Sequence, residues 1–200
     1  MVMTPWGYDV DADKLPPIIS PGELSALSGG RFGADTVGVA SVLDAVSAAV
    51  RNACGWHVSP VLDVVEATQG PGRTLPLRTL MLHSVTSVTE CGEELGEGQF
   101  EASRNGMIRR LCWREWPRGF GSVVVSYRSG IPAAMAPDLA AVAAQMAANA
   151  LAAPAGVRAE QAGDVSVTYN TTASGVSGGV RLLDSDLAML APYVIDGAWS

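Results

Sequence analysis

Cysteine and histidine are scarce in this sequence of 200 residues, which contains 3 cysteines and 2 histidines. Cys54, Cys91 and Cys112 are odd in number and widely spaced, without a C-x-x-C pair, which favours reduced thiols over a disulfide framework. His57 and His83 have no second histidine or cysteine at the spacing of metal ligands. The sequence therefore predicts no metal site and no bound cofactor.

Long apolar runs and positive charge are also lacking. No stretch of about 18 apolar residues occurs, and no charged segment followed by an apolar run opens the sequence, so we expect neither a membrane span nor export from the cytosol. The 13 lysines and arginines are outnumbered by 20 aspartates and glutamates, which gives a net charge of −7. This charge argues against a general affinity for the phosphate backbone of nucleic acids, because such binding requires clustered cations.

Signatures of catalysis are equally weak. Residues 175–179 match the G-x-S-x-G pattern of a nucleophile elbow, with Ser177 in the place of the nucleophile. In the fold that uses this elbow the histidine follows the serine, whereas His57 and His83 both precede it, and the glycine content predicts a linker. We therefore expect a protein that is not an enzyme. A small cytosolic hydrolase that uses Ser177 or a cysteine is the least favoured alternative.

Two helices are predicted before residue 55. Ser20 and Glu23 form a capping-box pattern with proline at the first helical position, which predicts a helix near residues 21–28. A second helix is predicted near residues 36–54, ended by Gly55. Its apolar residues recur at steps of three and four, and they are Val39, Val42, Leu43, Val46, Val50 and Ala53.

The middle of the chain changes to the two-residue period of strands. The predicted strands are Val61 to Thr68, Val85 to Glu90, Phe100 to Ala102, Met107 to Leu111 and Ser122 to Tyr127. Asn105-Gly106 lies between two of them and favours the primed turns of a hairpin. The sequence predicts a small antiparallel β unit over residues 58–131.

Helical patterns return in the C-terminal part. Pro137 and Asp138 open a helix near residues 138–152, whose alanine-rich surface is suited to pack against the apolar stripe of residues 36–54. Asp184 and Ser185 can cap a last helix near residues 185–191.

The predicted fold class is α+β, a small helical bundle with an inserted antiparallel β unit. We expect residues 20–57 and 132–200 to form the helical core and residues 58–131 to be the insertion of the same domain. Residues 1–19 are predicted to be a mobile N-terminal arm, in which Asp9, Asp11 and Asp13 alternate without a glutamate at the closing position of a calcium loop.

One further strand has no evident partner in the sequence. The alternation of apolar and polar residues predicts a strand over Asp164, Val165, Ser166, Val167, Thr168 and Tyr169. An isolated strand cannot satisfy its own backbone groups. It could close the edge of the chain's own middle sheet, or it could pair with another chain by β-augmentation.

The order of elements resembles one known family. The segments that carry the resemblance are Leu75-Pro76-Leu77-Arg78, Val85-Thr86-Ser87-Val88, Phe100-Glu101-Ala102-Ser103, Met107-Ile108-Arg109-Arg110, Trp116-Pro117, Val123-Val124-Val125-Ser126-Tyr127 and Ser129-Gly130-Ile131-Pro132, followed by Pro137-Asp138-Leu139 and Gly163-Asp164-Val165-Ser166-Val167. Over roughly residues 20–195 the sequence resembles the head-tail connector, or adaptor, proteins of long-tailed bacteriophages.

The resemblance implies a structural protein of the virion. Such proteins form a ring, usually of twelve subunits, below the portal protein in the phage neck, and double-stranded DNA passes through the ring. The implied partners are other copies of the chain, the portal protein and a downstream neck or tail protein, with assembly in the host cytoplasm. A ring of identical subunits would also supply an edge for the strand at residues 164–169. The alternative is another neck or tail protein, of the tail-completion or tail-terminator type, which would form hexameric rings.

Overall fold

The computed structural model describes residues 1–152 except residue 71, residues 159–162 and 165–168, and residues 180–195. The chain divides into two compact units. The first comprises residues 1–16, 54–135 and 193–200, and the second comprises residues 17–53 and 136–192.

The first unit is built on two antiparallel sheets. Its strands are β1 (Val2–Met3), β2 (Asp9–Val10), β3 (Leu62–Thr68), β4 (Thr74–Pro76), β5 (Leu82–Glu90), β6 (Glu93–Glu94), β7 (Phe100–Ala102), β8 (Met107–Arg110) and β9 (Val123–Ser129). Six strands form one sheet in the order β1-β2-β3-β9-β5-β6, and three form the other in the order β4-β8-β7. The centre of the larger sheet is β9, which pairs with β3 from Leu62↔Ser129 to Thr68↔Val123 and with β5 on its other side.

The hairpin β7–β8 forms where Asn105-Gly106 predicts it, but with a different turn. Ser103 N–H donates to the Met107 carbonyl oxygen at 2.8 Å, which leaves three residues in the loop. Gly106 has a φ of 80°. A three-residue loop with glycine in the left-handed region is the alternative to the two-residue primed turn.

The N-terminal residues differ from the predicted mobile arm. β1 and β2 pair with each other, and β2 pairs with β3 through Asp9↔Val65 and Val10↔Val64. Tyr8 and Val10 are buried in the apolar core of the first unit. The physical reason is that β3 offers an unpaired edge and Tyr8 offers a large apolar ring, which together order a short segment of little intrinsic preference.

The second unit contains the helices α1 (Pro21–Leu27), α2 (Val39–Cys54, ending at the border of the first unit), α3 (Pro137–Ala152) and α4 (Asp184–Leu190). The capping box of α1 forms as predicted: Ser20 N–H donates to Glu23 Oε2 at 2.7 Å, and Glu23 N–H donates to Ser20 Oγ at 3.2 Å. Leu43, Val46 and Val50 of the α2 stripe are buried.

The helices α1 and α4 both approach α3 closely in the described part of the chain. The apolar residues of α3 that are buried are Leu139, Val142, Ala143, Ala144, Met146 and Ala147. Small residues let several helices approach α3, and its packing against the apolar stripe of residues 36–54 stays a prediction. The α+β fold class with four helices and antiparallel sheets is confirmed.

Candidate interaction surfaces

The strand predicted at residues 164–169 is present as β11 (Val165–Thr168), while Asp164 and Tyr169 lie outside the described residues. It pairs with β10 (Ala159–Ala162) of the same chain in an antiparallel ladder, from Ala162↔Val165 to Ala159↔Thr168. Within the described residues this two-stranded sheet has no third strand. The strand therefore does not close the edge of the middle sheet.

The register defines which backbone groups of this hairpin face outward. Residues that oppose each other in an antiparallel pair alternate between exchanging hydrogen bonds and not exchanging them. Only two residues of sequence separate Ala162 from Val165, so this pair is hydrogen-bonded, as is Glu160↔Val167. The N–H and C=O groups of Ser166 and Thr168 then point to the outer edge of β11.

A sequence signal for β10 existed and was missed. Gly163-Asp164 is one of the two-residue combinations that connect hairpin strands. The preceding residues 159–162 read AEQA, which has the composition of a helix and conceals the strand. The partner of β11 was thus local in sequence.

Both histidines have structural roles. His57 is fully buried, its Nδ1 lies 3.0 Å from Tyr8 Oη, and its Nε2 lies 3.1 Å from the Ser129 carbonyl oxygen. Because a carbonyl only accepts, Nε2 carries the proton and Nδ1 accepts from the tyrosine hydroxyl. His83 Nε2 lies 2.7 Å from the Gly130 carbonyl oxygen.

Other candidate sites for chemistry gain no support. Ser177 lies outside the described residues. Among the described residues, no three histidine, cysteine or acidic side chains are grouped as metal ligands. In the same part of the chain no helix has the length and apolar character that crossing a bilayer needs. Cys54 is buried, and burial raises the pKa of its thiol to about 12.

Among the residues that the structure describes, the most exposed aromatic side chains lie on one loop. Residues 111–122, here called the aromatic loop, join β8 to β9 and present Trp113 at 85% exposure and Phe120 at 96% exposure. Cys112 and Trp113 both have positive φ, 54° and 62°. Non-glycine residues in this region are strained and persist where the surroundings hold them.

A buried tryptophan fixes this loop to the first unit. Trp116 is 2% exposed and belongs to the apolar core. The backbone N–H of Trp116 donates to the Gly72 carbonyl oxygen at 2.8 Å, and that of Gly70 donates to the Pro117 carbonyl oxygen at 2.9 Å. A Cβ atom on Gly70 would lie 1.9 Å from the Cβ of Trp116, so only glycine fits beneath the tryptophan. Trp116 thus anchors the loop, while the side chains of Trp113 and Phe120 remain exposed to solvent.

A buried arginine connects the loop to the larger sheet. Arg110 is 2% exposed, donates to Glu90 Oε2 at 2.6 Å and to the Gln99 carbonyl oxygen at 2.9 Å, and lies 5.5 Å from the Trp116 ring centroid. It lines an open cavity of about 500 Å³. The other charged residues that line this cavity are Glu90, Glu93, Glu94, Arg114 and Glu115. The aromatic loop therefore lies on the β6 side of the larger sheet.

The opposite edge of the same sheet is acidic. Asp11 and Asp13 follow β2 and are exposed, and Met3 on the edge strand β1 is 81% exposed. Asp11 N–H donates to the Asp63 carbonyl oxygen at 2.9 Å, which extends the attachment to β3. Residues 1–13 are here called the acidic edge.

The fold is shared with components of phage-like particles. No protein-family model matches the sequence, and no curated protein matches it. A chain in a structure described as the neck of an empty GTA (gene transfer agent) particle computed with C6 symmetry is 16% identical, with a TM-score of 0.58 over 94% of each chain. A chain in the neck of a native GTA particle computed with C12 symmetry is 13% identical, with a TM-score of 0.52 over 90% of this chain and 93% of that one. At sequence identities this low, the similarity of the structures shows a common fold and nothing more.

Proposed function

We propose that this protein is a structural component of the neck of a phage or phage-like particle, a head-tail connector that forms a ring below the portal. The observation that carries the proposal is the common fold with neck chains over more than nine-tenths of their length. The sequence of residues 20–195 resembles phage adaptor proteins, and this resemblance does not depend on the structural comparison. The protein would assemble in the host cytoplasm and remain in the virion.

The charge of the chain suits a passage for DNA. A net charge of −7 per subunit is multiplied around a ring. Repulsion between a duplex and a channel of like sign favours movement of the DNA over capture. We propose that double-stranded DNA passes through this ring without sequence-specific contacts.

A non-enzymatic role agrees with the environment of the histidines. The ring nitrogens of His57 are engaged by Tyr8 and Ser129, and Nε2 of His83 by Gly130. A general base needs a ring nitrogen within reach of the nucleophile whose proton it accepts. The buried His57 serves the packing of the first unit instead.

The number of subunits is the most direct test of the proposed class. The related necks were computed with C6 and C12 symmetry, and a ring of twelve is compatible with both. Negative-stain images and native mass spectrometry of the purified protein, alone and with the portal protein of its own particle, should show a dodecamer that binds the portal. A hexamer that does not bind the portal protein would instead favour a tail-terminator or tail-completion protein.

We also propose that β11 pairs between subunits, or with a neighbouring neck protein, in the assembled ring. A two-stranded hairpin by itself is at best marginally stable in water. The outer edge of β11 presents the backbone groups of Ser166 and Thr168, which are available for a third strand. Pairing there would offset the entropy of ordering the hairpin, about 1 to 2 kcal/mol per residue.

Two proline variants separate pairing within the hairpin from pairing across its edge. Ser166→Pro removes an outward N–H and should weaken ring assembly while the isolated subunit keeps its helical content. Val167→Pro removes the N–H that faces β10 and should abolish the hairpin itself.

Amide hydrogen exchange of residues 165–168 measures directly whether the outer edge of β11 is paired. We expect protection of Ser166 and Thr168 to appear only on assembly. Equal protection in the monomer and in the ring would contradict pairing between chains.

A further inference from the structure

We infer that the aromatic loop of one subunit binds the acidic edge of the next subunit, and that this contact repeats around the ring. The inference rests on the proposed ring, and it adds which two surfaces meet. The occupant of the aromatic loop is therefore a second copy of this chain.

The aromatic loop has the composition of a binding hot spot. Tryptophan and arginine dominate such sites, and rings that are already held in position lose little entropy on binding. The Arg73 guanidinium lies 4.5 Å from the centroid of the Trp113 ring, which fixes an exposed ring from one side. Phe120 lies on the same loop, eight residues after Cys112 with its positive φ, and its side chain is 96% exposed. Exposure of two large rings on an anchored loop indicates a protein partner.

Positive charge predominates beside these rings, where Arg73, Arg114 and Arg118 accompany one carboxylate, Glu115. Arg118 is exposed on the loop, and neither Arg73 nor Arg118 has an ion pair with a carboxylate in the described part of the chain. Arg114 lines the cavity that also contains Glu93 and Glu94. Arg73 and Arg118 are cations that the carboxylates of an acidic partner would complement.

The acidic edge offers the complementary surface. Asp11 and Asp13 are exposed carboxylates, which can pair with the arginines of another subunit. The exposed Met3 offers a polarizable thioether to an aromatic ring. β1 is also an edge strand with unpaired backbone groups. Charge, apolar contact and hydrogen bonding all favour the same pairing.

The topology separates the two surfaces, as a heterologous contact requires. The acidic edge includes β1, and the cavity next to the aromatic loop includes β6, which are the two outer strands of the six-stranded sheet. Strands are spaced by about 4.8 Å, so the two surfaces are separated by roughly 24 Å. A two-fold contact centred on the aromatic loop would place arginine against arginine, whereas a head-to-tail contact joins opposite charges and continues to the next subunit.

Two variants test the contact, one changed in the aromatic loop and the other in the acidic edge, each studied alone and in a mixture of the two. The loop variant is Trp113→Ser with Phe120→Ser, and the edge variant is Met3→Ser with Asp11→Lys and Asp13→Lys. These side chains are exposed, so the folded subunit should be retained, as melting temperature and circular dichroism will verify. Val37→Ser is the matched control, because Val37 is 94% exposed and belongs to neither surface.

Native mass spectrometry and light scattering should show that each variant alone associates at least about 30-fold more weakly than the wild type. An equimolar mixture should form a heterodimer and no ring, because one intact loop meets one intact edge and the chain of contacts stops there. The Val37→Ser control should assemble like the wild type.

A cysteine pair reports the same contact when assembly is weak. Met3→Cys and Phe120→Cys, in a chain with Cys91→Ser and Cys112→Ser, should give a ladder of disulfide-linked subunits on oxidation. Cys54 will not interfere, since its buried thiol has a pKa of about 12 and little thiolate.

The outcomes separate this inference from the proposed ring. Normal rings from the loop variant, or no heterodimer on mixing, would overturn the loop-to-edge contact and leave the ring intact. A wild type that stays monomeric at all concentrations and with the portal, and a cysteine variant without a ladder, would overturn both.

Discussion

At the scale of single residues, the most unusual group is a carboxylate inside the apolar core. Glu66 is 4% exposed on β3 and accepts hydrogen bonds at Oε2 from Tyr127 Oη at 2.7 Å and from Arg78 N–H at 3.1 Å. Burial raises the pKa of Glu66 above its ordinary 4.5, and the two hydrogen bonds oppose this only in part. The same burial and the neighbouring Glu66 raise the pKa of Tyr127.

This raised pKa predicts a component of stability that is lost as the pH rises. The folded state holds the Glu66 proton more tightly than the unfolded state, so the contribution is present below about pH 4.5 and disappears through the folded-state pKa. Glu66→Gln removes the titration. We expect the free energy of unfolding of the wild type minus that of Glu66→Gln to fall between pH 4 and pH 8, measured by urea unfolding.

Tyr127→Phe sharpens this test. It removes the hydroxyl that favours the carboxylate, so the pKa of Glu66 should rise further and the decline should extend to higher pH. A difference between wild type and Glu66→Gln that is independent of pH would show that Glu66 titrates normally.

A second prediction concerns the buried stripe of α2. Val46 is fully buried, and an aspartate there would bring an unpaired charge into the interior of the second unit. Val46→Asp should therefore unfold this unit or lower its stability by about 3 kcal/mol or more. Ala48→Asp on the exposed side of the same helix is the control and should change the stability by less than about 0.5 kcal/mol. Equal melting of both variants would place the core elsewhere.

At the scale of elements, the aromatic loop depends on a glycine in another segment. Gly70 and Trp116 are 46 residues apart, yet a Cβ on Gly70 would overlap the tryptophan. The contact fixes Trp116, which lies between Trp113 and Phe120 in the sequence, so a residue outside the loop anchors the segment that carries the exposed rings.

Gly70→Ala should displace Trp116 and release the loop. The overlap predicts a loss of about 1 to 3 kcal/mol in stability and faster hydrogen exchange of residues 113–118. Gly72→Ala is the matched control, because nothing lies within 4 Å of its added Cβ and its φ is not positive. Retained protection of the loop in Gly70→Ala would mean that the backbone accommodates the methyl group.

At the scale of the whole molecule, charge is the dominant property. The net charge of −7 leaves the arginine-bearing aromatic loop as a local exception. Such an arrangement favours contacts between subunits over contacts with nucleic acid, because carboxylates outnumber cations on the same chain.

The purified protein should therefore not bind double-stranded DNA. With a fluorescent duplex of about 30 base pairs we expect no change in anisotropy up to about 50 µM protein, at both 0.05 and 0.15 M salt. Non-specific DNA-binding proteins bind at about 1 to 100 µM and more tightly at low salt. Binding that strengthens at low salt would contradict the proposed free passage of DNA.

The sequence by itself determined the local structure. The capping box at Ser20, the apolar stripe of α2, the hairpin signal at Asn105-Gly106 and the α+β class all follow from short-range preferences, and all are present in the structure. The charge that argues against a general affinity for DNA is also a property of the composition.

Only the tertiary structure decided which distant segments meet. Residues 2–10 were expected to be mobile and instead extend the sheet through β3, and α3 approaches α1 and α4. Trp113 and Trp116 stand three residues apart in one loop, yet one is 85% exposed and the other 2%. The physical reason is that burial and strand pairing depend on surfaces supplied by residues far away in the chain, such as Gly70 for Trp116, and local preference contains no information about them.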